Sequence, residues 1–221
     1  MSQPDESISR DEVRKEFQLE RMILFSDAVF AIVITLMAIE IRMPETDVKE
    51  TGIYSMILFK HLFPVILAYT VSFIFIGSIW YQHLKIFSVL RDYDKGLVVR
   101  NLILLFFIGL FPFSATVIGN GRGAPVAMMV YLSVILLCSG AQFVLHHYIL
   151  FQKPQLWVEK DIHLHFEEYD KKKSALISFI IIIGLILVTL LFIQDPHLQP
   201  MAVIWMAVFP LLQKVLKRKK K

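Results

Sequence analysis

Along this chain, long stretches nearly free of charge alternate with short polar connections. Six such stretches are centred on Met22–Ile41, Leu62–Tyr81, Leu102–Ile118, Pro125–Leu145, Ala175–Ile193 and Met201–Leu216. A helix of about 20 apolar residues, rising 1.5 Å per residue, crosses the roughly 30 Å hydrocarbon core of a bilayer. None of the six shows the period-two alternation of a barrel strand. In lipid each segment must satisfy its own backbone, so all six are predicted to be helices. The sixth is the weakest, because Pro210 interrupts it and Gln213 and Lys214 follow. The expected fold class is all-α, an integral membrane bundle of six transmembrane helices. It is read as a single domain over 1–221, with a polar N-terminal arm at 1–20 and a basic tail at 213–221.

Charge orients the bundle. Of the 23 lysines and arginines, 19 fall on the N-terminal arm, the second and fourth connections, and the tail. Arg42, Lys49, Lys60 and Arg122 lie on the other side. The positive-inside rule then places both termini in the cytoplasm of a multi-pass protein of the cell membrane. It also requires the sixth span, since without it the most basic segment would face outward. The tail serves as a topology determinant, and it can also meet anionic lipid headgroups at about 1 kcal/mol per cation. The connection Gln152–Lys173 mixes five acidic residues with lysines and reads as a solvated or amphipathic link.

Composition agrees. Hydrophobic residues make up 56% of the chain and charged residues 19%, with a mean hydropathy of +0.61, which argues against a soluble or disordered chain. The net charge of +4 is explained by the topology, so no nucleic-acid partner is expected. No connection is long enough to carry a soluble catalytic domain, and the chain is not read as an enzyme. Nor is a cleavable signal peptide read at its start, because the first apolar run is too long for one.

Candidate chemistry is sparse. Ionisable residues inside a span cost about 2.5–3.5 kcal/mol on insertion scales, so each needs a reason. Asp27 lies more than a turn inside the first apolar run and should face a polar partner. Candidates are Arg21 or Arg100, or Trp80 and His83 at the end of the second span. Stabilisation by the helix dipole is the plainer account of Asp27. On a wheel of about 100° per residue with Asp27 at zero, Thr35, Ile39, Ile32 and Leu36 fall between about 80° and 180°. Ordinary helix packing also produces such a stripe. Cys138 sits alone in an apolar run and reads as a buried small residue. His146-His147 and His163-x-His165 read as interfacial or solvated histidines rather than metal ligands. Thr116-Val117-Ile118-Gly119-Asn120-Gly121 has neither the spacing nor the room of a carbonyl-lined potassium filter. No span carries the regular arginines of a voltage sensor.

One motif is specific. Arg21-x-x-x-Phe25-Ser26-Asp27, followed by Ala-Val-Phe-Ala-Ile-Val-Ile-Thr-Leu, resembles the signature of the transmembrane protein 175 family of potassium channels. Looser matches are Trp80-x-x-His83, Asn101 at the start of span three, Phe111-Pro112-Phe113, and the six-span length. Ala28 stands where many bacterial members carry glycine. The resemblance implies a pore lined by the first helix, with Ile32 at its narrowest point. Thr35 would offer a hydroxyl to a passing ion, and Leu36 and Ile39 would continue the lining. It further implies that Arg21, Phe25, Ser26, Asp27, Trp80, His83 and Asn101 belong to a network holding the pore helices. Potassium would be met transiently near Thr35 and Ile32, with no cofactor and no structural metal. Animal members carry two repeats and dimerise, so this single repeat implies a homotetramer around a central pore. Its partners would be potassium ions, membrane lipids and copies of itself.

An apolar constriction that strips water from an ion penalises sodium more than potassium, and it can gate by dewetting. Selectivity without a cage of oxygens should be modest. The alternative reading is a secondary, proton-coupled transporter using Asp27 and His83 as a relay. Such carriers usually show broken helices and midplane polar sites. Here glycine is scarce and the polar groups gather at one end. An intramembrane enzyme would need convergent acid, base or metal ligands, which the spans do not offer.

Overall fold

The computed structural model describes residues 10–39, 41, 54–120, 125–157, 162–192, 205 and 208–218. They form the helices α1 (Arg10–Ile39), α2 (Tyr54–Phe87), α3 (Lys95–Gly109), α4 (Phe111–Asn120), α5 (Pro125–His147), α6 (Ile162–Phe192) and α7 (Phe209–Arg218). A π turn, Tyr148–Gln152, and a short 3₁₀ turn, Pro154–Leu156, follow α5.

Five helical segments are long and apolar enough to cross a membrane: Val13–Ile39, Val65–Phe87, Lys95–Ile118, Val126–Gln152 and Phe166–Thr189. These correspond to the first five expected spans. Between 17% and 39% of each apolar window is buried inside the protein. The rest faces outward, with Ile74, Phe106, Phe113 and Phe192 among the exposed side chains. A soluble monomer does not carry so much exposed apolar surface, whereas lipid or a neighbouring subunit accommodates it. Of the sixth expected span, Trp205 and residues 208–216 are described, and 201–204, 206 and 207 lie outside the described residues.

Helices outrun the apolar stretches that announce them. α1 starts at Arg10, so Asp27 sits deep in the helix, and dipole stabilisation at a helix start does not apply to it. α6 starts at Ile162, so the second half of the link Gln152–Lys173 is helical. The third span is broken at Leu110 because Pro112 has no N–H for the Ile108 carbonyl and its ring crowds that carbonyl. Leu110 N–H turns back to Phe107 O at 3.1 Å, and α4 resumes with Ser114 N–H on Leu110 O at 3.0 Å. Thr116 to Asn120 are helical, with the Thr116 hydroxyl on Pro112 O, which separates this stretch from any extended filter.

α5 packs against α2, α3, α4 and α6, and α1 packs against α2, α3 and α4. The main core gathers Phe30, Phe87, Leu104, Ile108, Phe111 and Leu145. A smaller cluster of Leu132, Ile182, Ile183 and Ile186 seats α6 on α5, with Phe209 and Leu212 of α7 packed against it. Cys138 is buried, as its apolar setting predicts.

Candidate functional site

α1 has two dissimilar faces. Leu19, Ser26, Phe30, Val33 and Met37 are buried, and at about 100° per residue they cluster near 270° on the wheel that sets Asp27 at zero. Ile32, Thr35, Leu36 and Ile39 centre near 130°, about 140° away. Ile32 is 55% exposed, Leu36 44% and Ile39 70%, and Thr35 is exposed as well. Among the described residues the stripe is therefore largely uncovered, and packing against them does not account for it.

Thr35 bonds to its own helix. Its hydroxyl donates to Ile32 O at 2.8 Å and lies 3.1 Å from Ala31 O. With its proton turned to the backbone, the oxygen keeps its lone pairs for an outside donor or cation.

The buried face is held by a directed chain of hydrogen bonds. Ser26 Oγ donates to Met22 O at 2.8 Å, so it accepts from Asn101 Nδ2, also at 2.8 Å. Asn101 Oδ1 in turn meets His83 Nε2 at 2.9 Å. A carbonyl oxygen only accepts, so the His83 proton is placed on Nε2, and Nδ1 is left without a partner. The ring stacks on Phe87 with centroids 4.0 Å apart and tilts against Phe30 at 5.6 Å. One polar thread thus joins α1, α3 and α2 inside an otherwise apolar core.

Asp27 is served separately. Trp80 Nε1 donates to Asp27 Oδ1 at 2.9 Å, a second tie from α2 to α1. Asp27 and His83 are not hydrogen-bonded to each other, so the two groups of the relay reading stand in different pairs. Arg21 and Phe25 are not brought to either pair. Both are exposed, and the Arg21 guanidinium lies 5.9 Å from the Phe17 ring. On the wheel they fall near 120° and 160°, on the same side as Ile32 and Leu36. Of the seven network residues expected from the sequence, five meet in these pairs and two share the exposed stripe.

Three features escaped the sequence reading. Asp94 caps α3 by accepting from Leu97 N–H at 2.8 Å. It also accepts from the Tyr148 hydroxyl at 2.6 Å and pairs with Lys153 at 3.3 Å. A carboxylate directly before Lys95 was the available signal. Gly96 is favoured by close approach, since a Cβ there would overlap the Tyr148 hydroxyl. The connections at 88–94 and 153–157 are joined by Arg91 N–H on Leu156 O and an antiparallel bridge between Leu90 and Trp157. Lys15 reaches Asp92 at 2.9 Å and ties α1 to the same end.

The histidines need a correction. His146 is 1% exposed and lies against Lys172, and His147 is half-buried against the Tyr169 hydroxyl at 2.9 Å. Both are packing residues rather than solvated ones, because Tyr169 and Lys172 of α6 lie against them. The side chains of His163 and His165 lie outside the described residues. Among the described residues no group of three histidine, cysteine or carboxylate side chains could hold a metal ion.

Comparison with known proteins agrees with the opening motif. The family model described as endosomal/lysosomal potassium channel TMEM175 matches residues 21–112. A potassium channel of Chryseobacterium sp. is 29% identical over 150 residues, covering 67% of this chain and 74% of that one. Another, of Chamaesiphon minutus, is 34% identical over 129 residues, covering 57% of this chain and 63% of its own length. The crystal structure of a lysosomal potassium-selective channel TMEM175 homologue from Chamaesiphon minutus shares the fold. Its TM-score is 0.65 at 21% identity, over 91% of this chain and 97% of that one. With its first-helix motif inside the matched segment and its fold shared along most of its length, this chain is similar to the TMEM175 family over residues 21–112 and has the fold of a solved homologue.

Proposed function

We propose that this chain is one subunit of a passive, potassium-selective cation channel, a homotetramer in which α1 of each copy lines a central pore. The observation that carries this is the exposed stripe Ile32, Thr35, Leu36 and Ile39, set about 140° from the face that seats α1 in its own subunit. A single helix encloses nothing, so a path along this stripe needs further copies. The bacterial relatives named as potassium channels support the ion.

In this reading Ile32 forms an apolar constriction that excludes water unless an ion sheds part of its shell. Potassium sheds it more readily than sodium. Four Thr35 oxygens, each with its proton committed to the helix backbone, replace part of the lost hydration. Ions dwell near Thr35 and Ile32 without a structural metal or cofactor, and Leu36 and Ile39 continue the lining. Ser26, Asn101 and His83, with Asp27 and Trp80, hold the back of each pore helix. Arg21 and Phe25, on the pore side of α1, act at the contact between copies. The chain works as a single six-span domain of the cell membrane, in contact with its lipids, with both termini cytoplasmic by its charge distribution.

Purified protein reconstituted in planar bilayers tests this. Under asymmetric potassium, unitary currents should reverse near the potassium equilibrium potential, and replacing potassium by sodium on one side should shift the reversal. Slow, saturable flux without unitary events would overturn the reading.

A further inference from the structure

A second polar cluster lies away from the stripe, where α2, α5, α6 and α7 meet. Its hydrogen bonds fix their own direction. The main-chain carbonyl of Gln142 lies 2.9 Å from His146 Nδ1, so the imidazole proton sits on Nδ1. Nε2 is then an acceptor, and Lys172 Nζ donates to it. The Lys172 ammonium is therefore hydrogen-bonded to a ring nitrogen, while the Glu168 carboxylate acts on it through space. Beside it, the Gln142 side chain is 3% exposed, and neither of its amide atoms has a hydrogen-bond partner. Native interiors rarely leave such a group unmet unless a ligand or water completes it.

Both residues line a cavity of about 320 Å³. Ser78, Gln82 and Ser139 share its polar end, and Phe75, Phe179 and Phe209 line the apolar one. Lys172 and Phe179 lie seven residues apart on α6, as do Gln82 and Phe75 on α2. At 1.5 Å per residue the two ends are about 10 Å apart. An adjoining depression shares Ser78, Gln82, Lys172 and Ala175 and adds Lys85, Glu168 and Lys171. It opens the cavity toward the end of the bundle that carries the α2–α3 and α5–α6 connections. Glu168 is paired with Lys85 at 2.8 Å, so the mouth is net positive.

We propose that this cavity binds an anionic phospholipid of the surrounding bilayer. Its phosphate oxygens accept from Lys172 and the Gln142 amide, and one acyl chain runs toward Phe75, Phe179 and Phe209. The gradient from cationic mouth to aromatic floor follows the polarity of a membrane leaflet. A free anion has no use for the aromatic floor, and a zwitterionic headgroup would set its own cation against Lys171 and Lys172. The volume is at the lower end of small-molecule sites, about 300–1,000 Å³. It therefore takes the phosphate region and part of one chain while the remainder stays in the bilayer.

Native mass spectrometry of the full chain in detergent tests this, with phosphatidylglycerol and phosphatidylcholine added separately. Phosphatidylglycerol should be retained at one molecule per subunit, at least about fivefold more strongly than phosphatidylcholine, the effect of one cation near an anionic headgroup. Lys172→Gln should reduce that retention by about fivefold or more. Ala175→Leu, at the junction of the two depressions, should also abolish it with every charge in place. Lys95→Gln, an exposed lysine at the same end, should leave it unchanged. If Lys172→Gln does not elute as wild type does, Ala175→Leu carries the comparison. Equal retention of the two lipids, or retention undiminished in Lys172→Gln and Ala175→Leu, would overturn the proposal. The readout is independent of ion flux.

Discussion

Asn101 donates its carboxamide N–H to the Ser26 hydroxyl across 2.8 Å, and this bond joins α3 to α1 inside the bundle. The other half of the same amide accepts from His83 on α2. Removing it leaves the His83 ring, already short of a partner at Nδ1, with no hydrogen bond at all. A buried group stranded in this way costs about 1–3 kcal/mol. Hydrogen bonds between membrane helices average only about 0.6 kcal/mol, because the alternative state also finds partners. Asn101→Ala removes two such bonds and also strands the buried ring, so it is expected to lower stability by about 1–3 kcal/mol, read as melting temperature in detergent. Trp80→Phe should cost clearly less, since Trp80 is 37% exposed and water can replace it at Asp27. Equal losses in the two variants would contradict this ordering.

Thr35→Ala removes the oxygen while leaving the α1 backbone intact. In bilayers its potassium-to-sodium permeability ratio should fall several-fold with unitary conductance retained. An unchanged ratio would count against a role for the hydroxyl. In the proposed channel, Ile32→Asn replaces an apolar girdle with groups that hold water, so dewetting would no longer close the path. Its open probability should rise and its selectivity decline. Wild-type behaviour of Ile32→Asn would overturn the proposed constriction at Ile32.

The first five spans were legible because lipid demands an unbroken apolar run, and that demand is written residue by residue. Helix ends were not legible, since the polar first turns of α1 and α6 carry no hydropathy signal. Asp27 was recognisable as a residue needing a partner, and Trp80 was among its candidates. The Ser26–Asn101–His83 thread came from the family motif rather than from spacing, because its members lie on three helices. Arg21 and Phe25 show the limit of that transfer. They stand in the motif beside Ser26 and Asp27, yet about 100° per residue turns them onto the opposite side of α1. The Lys172–His146–Gln142 cluster had no signature, as isolated polar residues in apolar runs reveal a shared cavity only once the helices are packed.

Gly96 and Tyr148 form a contact that admits no side chain at position 96. A Cβ there would overlap the Tyr148 hydroxyl and stand 2.7 Å from the ring carbon that carries it. Tyr148 cannot simply swing away, because its hydroxyl is held by Asp94 and the Arg100 guanidinium lies 3.8 Å from its ring centroid. Gly96→Ala should therefore destabilise the protein, by about 1–3 kcal/mol as for other overpacked sites, despite the better helix propensity of alanine. Tyr148→Phe removes the nearer obstacle, so the double variant should lose less than the sum of the single ones. Strict additivity in a double-mutant cycle would show that the two residues do not share the contact.

Acid should loosen the end of the bundle where the two connections meet. Burial pushes the Asp94 carboxyl up, but the Tyr148 hydroxyl, the Leu97 N–H and Lys153 together outweigh it and hold the group below the ordinary carboxylate range. At Asp92 burial also acts upward and is outweighed by Lys15, the Tyr93 N–H and Arg91. A carboxylate with a depressed folded value contributes stability that is fully present above its unfolded value, about 3.9. That contribution disappears as pH falls through the folded value. The melting temperature of the wild type should be insensitive to these two groups from neutral pH down to about pH 5 and should decline below it. Asp92→Asn with Asp94→Asn keeps side chains that can still cap α3 but removes both charges. This double variant should begin lower at neutral pH and fall less steeply in acid, so that the two curves converge. Parallel curves would mean that the acid sensitivity arises elsewhere, and that Lys15 and Lys153 add nothing measurable to the join between α1, α3 and the π turn after α5.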